Sequence, residues 1–200
     1  MFDPKFHLLR FAEICKNSKE FQGDGWGVCY LDNDWKLYRS VKPIWEEQNI
    51  FEHLPETGLL VAHARSAFKD KGAVMEFSQP FLDNGVVFVF NGELRGMRLK
   101  VPGKIGSEKI FNIFKRYLTE GVEAALGKTQ RELEANAKYV RALNVGVINR
   151  EGGAVLCRFG EQPEYFTLHY YEGDDLKIVC SDPYKPYEFQ EFTDGEIRLL

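Results

Sequence analysis

From Asn144 to its end the chain is a succession of short apolar runs cut by turn residues, and this pattern constrains the fold more than any other. The runs 145–148, 154–159, 165–170, 176–180 and 196–199 each have strand length. The segments 149–153, 160–163, 172–175 and 182–186 punctuate them with Gly, Pro, Asn and Asp. Short runs rich in β-branched and aromatic residues, bounded by such clusters, predict strands.

The first half mixes signals. Asp3-Pro4 reads as a helix start, an N-cap followed by proline at the first helical position. Leu8, Phe11, Ala12 and Cys15 follow with the spacing of one helical face, and the helix is expected to fade near Asn17-Ser18. A glycine-rich turn, 23–27, leads to strands at 28–31 and 35–41 around Asp32-Asn33-Asp34. A short helix is expected over 46–53, and buried strands over 58–64 and 86–90. Ser107 is expected to cap a helix striped by Ile110, Phe111, Phe114, Tyr117 and Leu118, and a second helix is expected over 122–139, weakened by Gly127. Strands, then two helices, then strands again predict an α+β fold with largely antiparallel sheets.

Composition narrows the function classes. An apolar share of 44% with 16 Phe supports a sizeable core and excludes intrinsic disorder. A formal charge of -4 argues against a basic nucleic-acid-binding face. The longest apolar stretches, such as 86–90, are too short to span a bilayer, and the first residues contain no signal-peptide core. The four cysteines, at 15, 29, 157 and 180, include no close pair, so neither a disulfide framework nor a zinc site is expected, and the natural setting is a reducing cytoplasm. No repeat or linker interrupts the sequence. One domain over 1–200 is expected, with no metal and no cofactor.

Three segments hold chemistry-bearing residues. Gly23, Gly25 and Gly27 form a G-x-G-x-G turn that follows a helix and precedes a strand, which matches neither the dinucleotide fingerprint nor the P-loop. Taken alone it is a tight turn. Arg65, at the end of the apolar run that holds His63, could present a rigid fork to a carboxylate; taken alone it is a strand-end residue in a surface salt bridge. Asn91-Gly92 closes the run 86–90 and taken alone is a hairpin turn. It could also aim an amide side chain and a backbone N–H at one carbonyl oxygen, as an oxyanion hole does.

Together and in order, Asp24-Gly25-Trp26-Gly27, His63-Ala64-Arg65, Gln79-Pro80-Phe81, Asn91-Gly92-Glu93-Leu94 and Ser107-Glu108 resemble the class II glutamine amidotransferase domain, a family of N-terminal-nucleophile hydrolases. Ala142-Leu143-Asn144, the Gly152-Gly153 turn with Arg158, and Cys180-Ser181-Asp182 extend the resemblance over nearly the whole chain. It implies a four-layer α/β/β/α sandwich of two mainly antiparallel sheets. The implied reaction is hydrolysis of the glutamine side-chain amide to glutamate and ammonia by an N-terminal cysteine whose own α-amine acts as base. By the same resemblance Asn91 and Gly92 form the oxyanion hole, Arg65 holds the substrate α-carboxylate, and Gly25, Trp26 and Gly27 shape the pocket floor. A synthase partner would accept the ammonia.

The sequence also departs from the family pattern. Phe2 stands where the nucleophilic cysteine is expected, Gln79 and Phe90 replace histidines, and Gly106 replaces an acidic residue that contacts the substrate amine. Cys15, Cys157 and Cys180 read as core residues, and Cys29 has no histidine near it in sequence. The family's first strand, which the nucleophile opens, has no counterpart before Asp3. Two expectations stand side by side: a nucleophile upstream of Met1, or a catalytically inactive module that binds an amino acid, an amide or a partner protein. A different amide substrate is a third, weaker reading. A missing edge strand would leave an open sheet edge and invite a homodimer.

Overall fold

The computed structural model describes residues 1–67 and 74–200. The chain divides into two compact units, Met1–Val89 and Phe90–Leu200.

In the first unit, helix α1 (Pro4–Asn17) begins where Asp3-Pro4 predicts: the Asp3 carboxylate accepts the Lys5 N–H at 2.8 Å. Leu8, Ala12 and Cys15 are its buried stripe. Strands β1 (Trp26–Asp32) and β2 (Asp34–Ser40) form a hairpin turning at Asn33, whose φ of 55° is left-handed. Strand β3 (Leu60–Ala64) pairs with the other side of β1, giving the order β2-β1-β3. Alternation sends Trp26, Val28 and Tyr30 to one face, where they pack with the stripe of α1. Two 3-10 turns, Ile44–Glu46 and Gln48–His53, replace the single short helix expected over 46–53 and add Ile44 and Phe51 to this core. Phe2 and Thr57 exchange two backbone hydrogen bonds of 2.9 and 3.0 Å. Strand β4 (Phe81–Asp83), which no sequence signal marks, pairs with the first residues of β5 (Val86–Arg95).

The second unit opens inside β5, which continues unbroken through Asn91-Gly92. The hairpin reading of that dipeptide is therefore corrected. Gly92 has φ 150°, and a Cβ there would collide with the carbonyl of Ala142. The glycine serves a close approach of two strands rather than a reversal of the chain. Helix α2 (Gly106–Tyr117) starts at N-cap Ile105 with no side-chain cap, so Ser107 lies inside the helix, buried, and does not cap it. Ile110, Phe111, Ile113 and Phe114 are its buried face. Helix α3 (Val122–Asn136) is shorter than expected, because Tyr139 opens β6 (Tyr139–Asn149). Strand β7 (Gly152–Cys157) pairs with β6, and β11 (Glu196–Leu199) with β7, while α3 packs on β6, β7, β11 and α2. The expected strand over 165–170 is instead α4 (Pro163–Phe166) followed by β8 (His169–Glu172). Pro163 at the first helical position, after left-handed Gln162, starts a turn of helix that no ladder could hold. Strand β8 lies between β10 (Gln190–Glu191) and β9 (Lys177–Cys180).

The pairings β1–β2, β1–β3, β4–β5, β6–β7, β7–β11, β8–β9 and β8–β10 are all antiparallel. The fold is α+β with antiparallel sheets. Among the described residues no helix is long and apolar enough to cross a membrane.

Candidate functional site

The glycine turn is held rigidly. Gly25 has φ 121°, and a Cβ on it would come within 2.6 Å of Ser78 Oγ and 2.7 Å of the Ser40 carbonyl oxygen. Ser78 Oγ itself donates to that carbonyl at 3.0 Å. A Cβ on Gly27 would lie 2.6 Å from the Gln79 carbonyl and 2.9 Å from that of Tyr38. Neighbouring backbone, with the Ser78 hydroxyl beside Gly25, thus fills the space that a side chain would need. Between the two glycines Trp26 is fully buried. Its indole N–H donates to Glu47 Oε2 at 2.9 Å, and the Tyr38 hydroxyl donates to the same oxygen at 3.4 Å.

Arg65 follows β3 and is only 8% exposed. Its N–H donates to the Gly25 carbonyl at 2.8 Å and its C=O accepts the Asp24 N–H at 3.0 Å, so Asp24 and Gly25, just before β1, together oppose Arg65, just after β3. Nη1 donates to the Asp24 carbonyl at 3.2 Å, and the guanidinium carbon lies 5.7 Å from the centre of the Phe77 ring. The structure therefore brings Gly25, Trp26, Gly27 and Arg65 together in the first unit. Gln79 is buried there as well, its Nε2 3.4 Å from Nε2 of His63. Arg39 donates to the Pro80 carbonyl from Nε at 3.1 Å and Nη2 at 2.7 Å. Asn91 and Gly92 belong to the second unit, Asn91 exposed and Gly92 half-buried on β5. Gly106, at the start of α2, has nothing within 4 Å of where a Cβ would stand.

Three of the four thiols are held well above their ordinary range. Cys15 is buried in the stripe of α1. Burial pushes the Cys29 thiol up to about 12 against the opposing pull of Arg39. It raises Cys157 to about 11 although the Leu168 N–H donates to its sulfur, and it raises Cys180 to about 12 with the help of Asp182. At neutral pH Cys29, Cys157 and Cys180 are protonated, and the thiolate is the reactive form. Among the described residues no group of three or more His, Cys, Asp or Glu is placed to hold a metal.

Sequence reasoning missed Glu47, Ser40 and Ser78. Each reaches the glycine turn through tertiary contacts, and no local pattern announces them.

No protein-family model and no curated protein matches the sequence. Solved structures do match. A glutamine aminotransferase class-II domain protein from Silicibacter pomeroyi superposes with a TM-score of 0.67 at 18% identity, covering 87% of this chain and 86% of that one. A predicted glutamine amidotransferase from Pseudomonas aeruginosa superposes with a TM-score of 0.55 at 16% identity, covering 88% and 84%. At these identities the likeness is one of fold, and this chain has the fold of those proteins over most of its length.

Proposed function

We propose that this chain is a glutamine amidotransferase-like protein whose two units serve as one functional domain that recognises glutamine. In the first unit Arg65 is assigned the α-carboxylate and Gly25, Trp26 and Gly27 the pocket floor; in the second unit Asn91 and Gly92 are assigned the oxyanion hole. The observation that carries this reading is Arg65, a nearly buried guanidinium fixed at a strand end by backbone contacts. Such a fork suits the planar, bidentate recognition of a carboxylate. Hydrolysis to glutamate and ammonia, in the N-terminal-nucleophile manner, then uses a cysteine other than the four in this sequence. The ammonia passes to a separate synthase.

Calorimetric titration tests the recognition step. L-glutamine is expected to bind the chain, and Arg65→Met to weaken binding at least about tenfold, as loss of a charge-assisted hydrogen-bonded pair does. Equal affinity in the variant overturns the proposal.

One observation favours a second reading, a module that binds without catalysis: burial raises the thiols of Cys29, Cys157 and Cys180. Ammonia release from glutamine by the protein purified from its native host decides between the two. Release supports the enzyme, and glutamine binding with no release supports the module.

A further inference from the structure

We infer that the outer edge of β3 is a dimerisation edge, where a second copy of this chain adds its own β3 antiparallel about a two-fold axis at Ala62.

The order β2-β1-β3 puts β1 on one side of β3, and among the described residues no strand pairs with the other side. Hydrogen bonds at the two ends of β3 fix which residues face which way. The Leu59 carbonyl accepts the Leu31 N–H at 3.0 Å, and Arg65 bonds to Gly25 and Asp24 through its N–H and C=O. Both Leu59 and Arg65 therefore face β1. The N–H and C=O of one strand residue point to the same side, and that side alternates along an antiparallel ladder. Val61 and His63 thus face β1 as well, and Leu60, Ala62 and Ala64 direct their main-chain groups outward. The chain bounds this edge at both ends. Phe2 holds Thr57 by two backbone hydrogen bonds of 2.9 and 3.0 Å. Past Arg65 the Ala67 N–H is drawn to Asp24 Oδ2 at 2.7 Å, towards the β1 side. The stretch between, Leu60–Ala64, is where a strand can be added.

A second copy fits this stretch because the edge complements itself. The outward residues are evenly spaced about Ala62. In a two-fold antiparallel pairing Ala62 opposes its own copy, Leu60 opposes Ala64, and Val61 opposes His63, so each outward N–H meets an outward C=O. Charged residues and proline are the usual means of keeping edge strands apart. The sequence of β3, LVAHA, contains no proline, Lys, Arg, Asp or Glu. Strand β2, at the opposite edge, bears exposed Asp34 and Lys36. A ladder of five residues buries much less than the about 1,200–2,000 Å² of a standard stable interface, so the dimer is a reversible one.

Light scattering on the full chain during size exclusion reads the mass. It is expected to climb with concentration from 23.1 kDa towards twice that value. Ala62→Pro removes an outward N–H and spares the β1–β3 ladder, to which the Ala62 amide does not belong. It is expected to raise the dissociation constant of the dimer at least about tenfold, with the circular dichroism unchanged. Amide hydrogen exchange on the unaltered chain is a second readout that needs no variant. Leu60, Ala62 and Ala64 are expected to exchange faster on dilution, while Val61 and His63 hold constant. A mass of 23.1 kDa at every concentration overturns the inference. A dimer that Ala62→Pro leaves unchanged also overturns it, since that dimer forms on another surface. Protection of Leu60, Ala62 and Ala64 that does not depend on dilution overturns it too, since something other than a second copy then covers the edge. If Ala62→Pro does not fold, the mass and exchange of the unaltered chain decide.

Discussion

Glu47 places a carboxylate beneath the glycine turn, where the Trp26 indole and the Tyr38 hydroxyl donate to it. Lys42 Nζ lies 3.9 Å from the other oxygen of the same carboxylate, Oε1. Replacing Glu47 by Ala strands a fully buried indole N–H, and an unmade hydrogen bond to a charged acceptor costs about 1.5–3 kcal/mol. Glu47→Ala is expected to lower the urea midpoint accordingly, with Trp26 emission shifted to the red; an unchanged midpoint contradicts the arrangement. Gly92 shows the limit of reading residues one at a time. Asn-Gly is a strong turn signal, yet this glycine is required because the Ala142 carbonyl occupies the place of a side chain. That need is created by a strand far away in sequence, so no local rule contains it.

Elements were legible where local chemistry decides them. Asp3-Pro4 marks the start of α1 because cap and proline act within a single turn. Asp3→Ala removes the acceptor of the Lys5 N–H and is expected to cost about 1 kcal/mol, read as a fall in the thermal midpoint. A drop well above this would mean that Asp3 does more than cap. The opposite case is α2, whose N-terminus has no side-chain cap. Ser107 has the chemistry of a cap, but it is buried and lies two residues past the N-cap, Ile105. Strand β4 was invisible for a related reason. Three residues carry no periodicity, and only their pairing with β5 makes them a strand.

At the scale of the whole molecule, the order of apolar runs made the α+β class and the antiparallel sheets legible, because patterning follows burial. The site was legible only as a set of motifs. The contacts that hold Arg65 and Trp26 join segments far apart in sequence, and no spacing rule describes them. Burial of the thiols also links the fold to pH. Folding raises Cys29, Cys157 and Cys180 above their ordinary value of 9.0, to about 12, 11 and 12. The folded state thus favours their protonated forms. This stabilisation is complete below about pH 9 and disappears as pH climbs through 11 to 12. Burial raises Tyr184 as well, and it acts in the same direction. The thermal midpoint is expected to be flat from pH 7 to 8.5 and to fall steadily above that; a midpoint that holds or rises towards pH 11 contradicts the burial of these groups. The wedged glycines have a different consequence, one for evolution. Because main-chain oxygens, and at Gly25 the Ser78 hydroxyl as well, occupy the space beside Gly25 and Gly27, no side chain fits at either position unless its neighbours shift. Variation has to arise at positions whose neighbours are side chains that can move, and the glycine turn stays the same while its surroundings diversify.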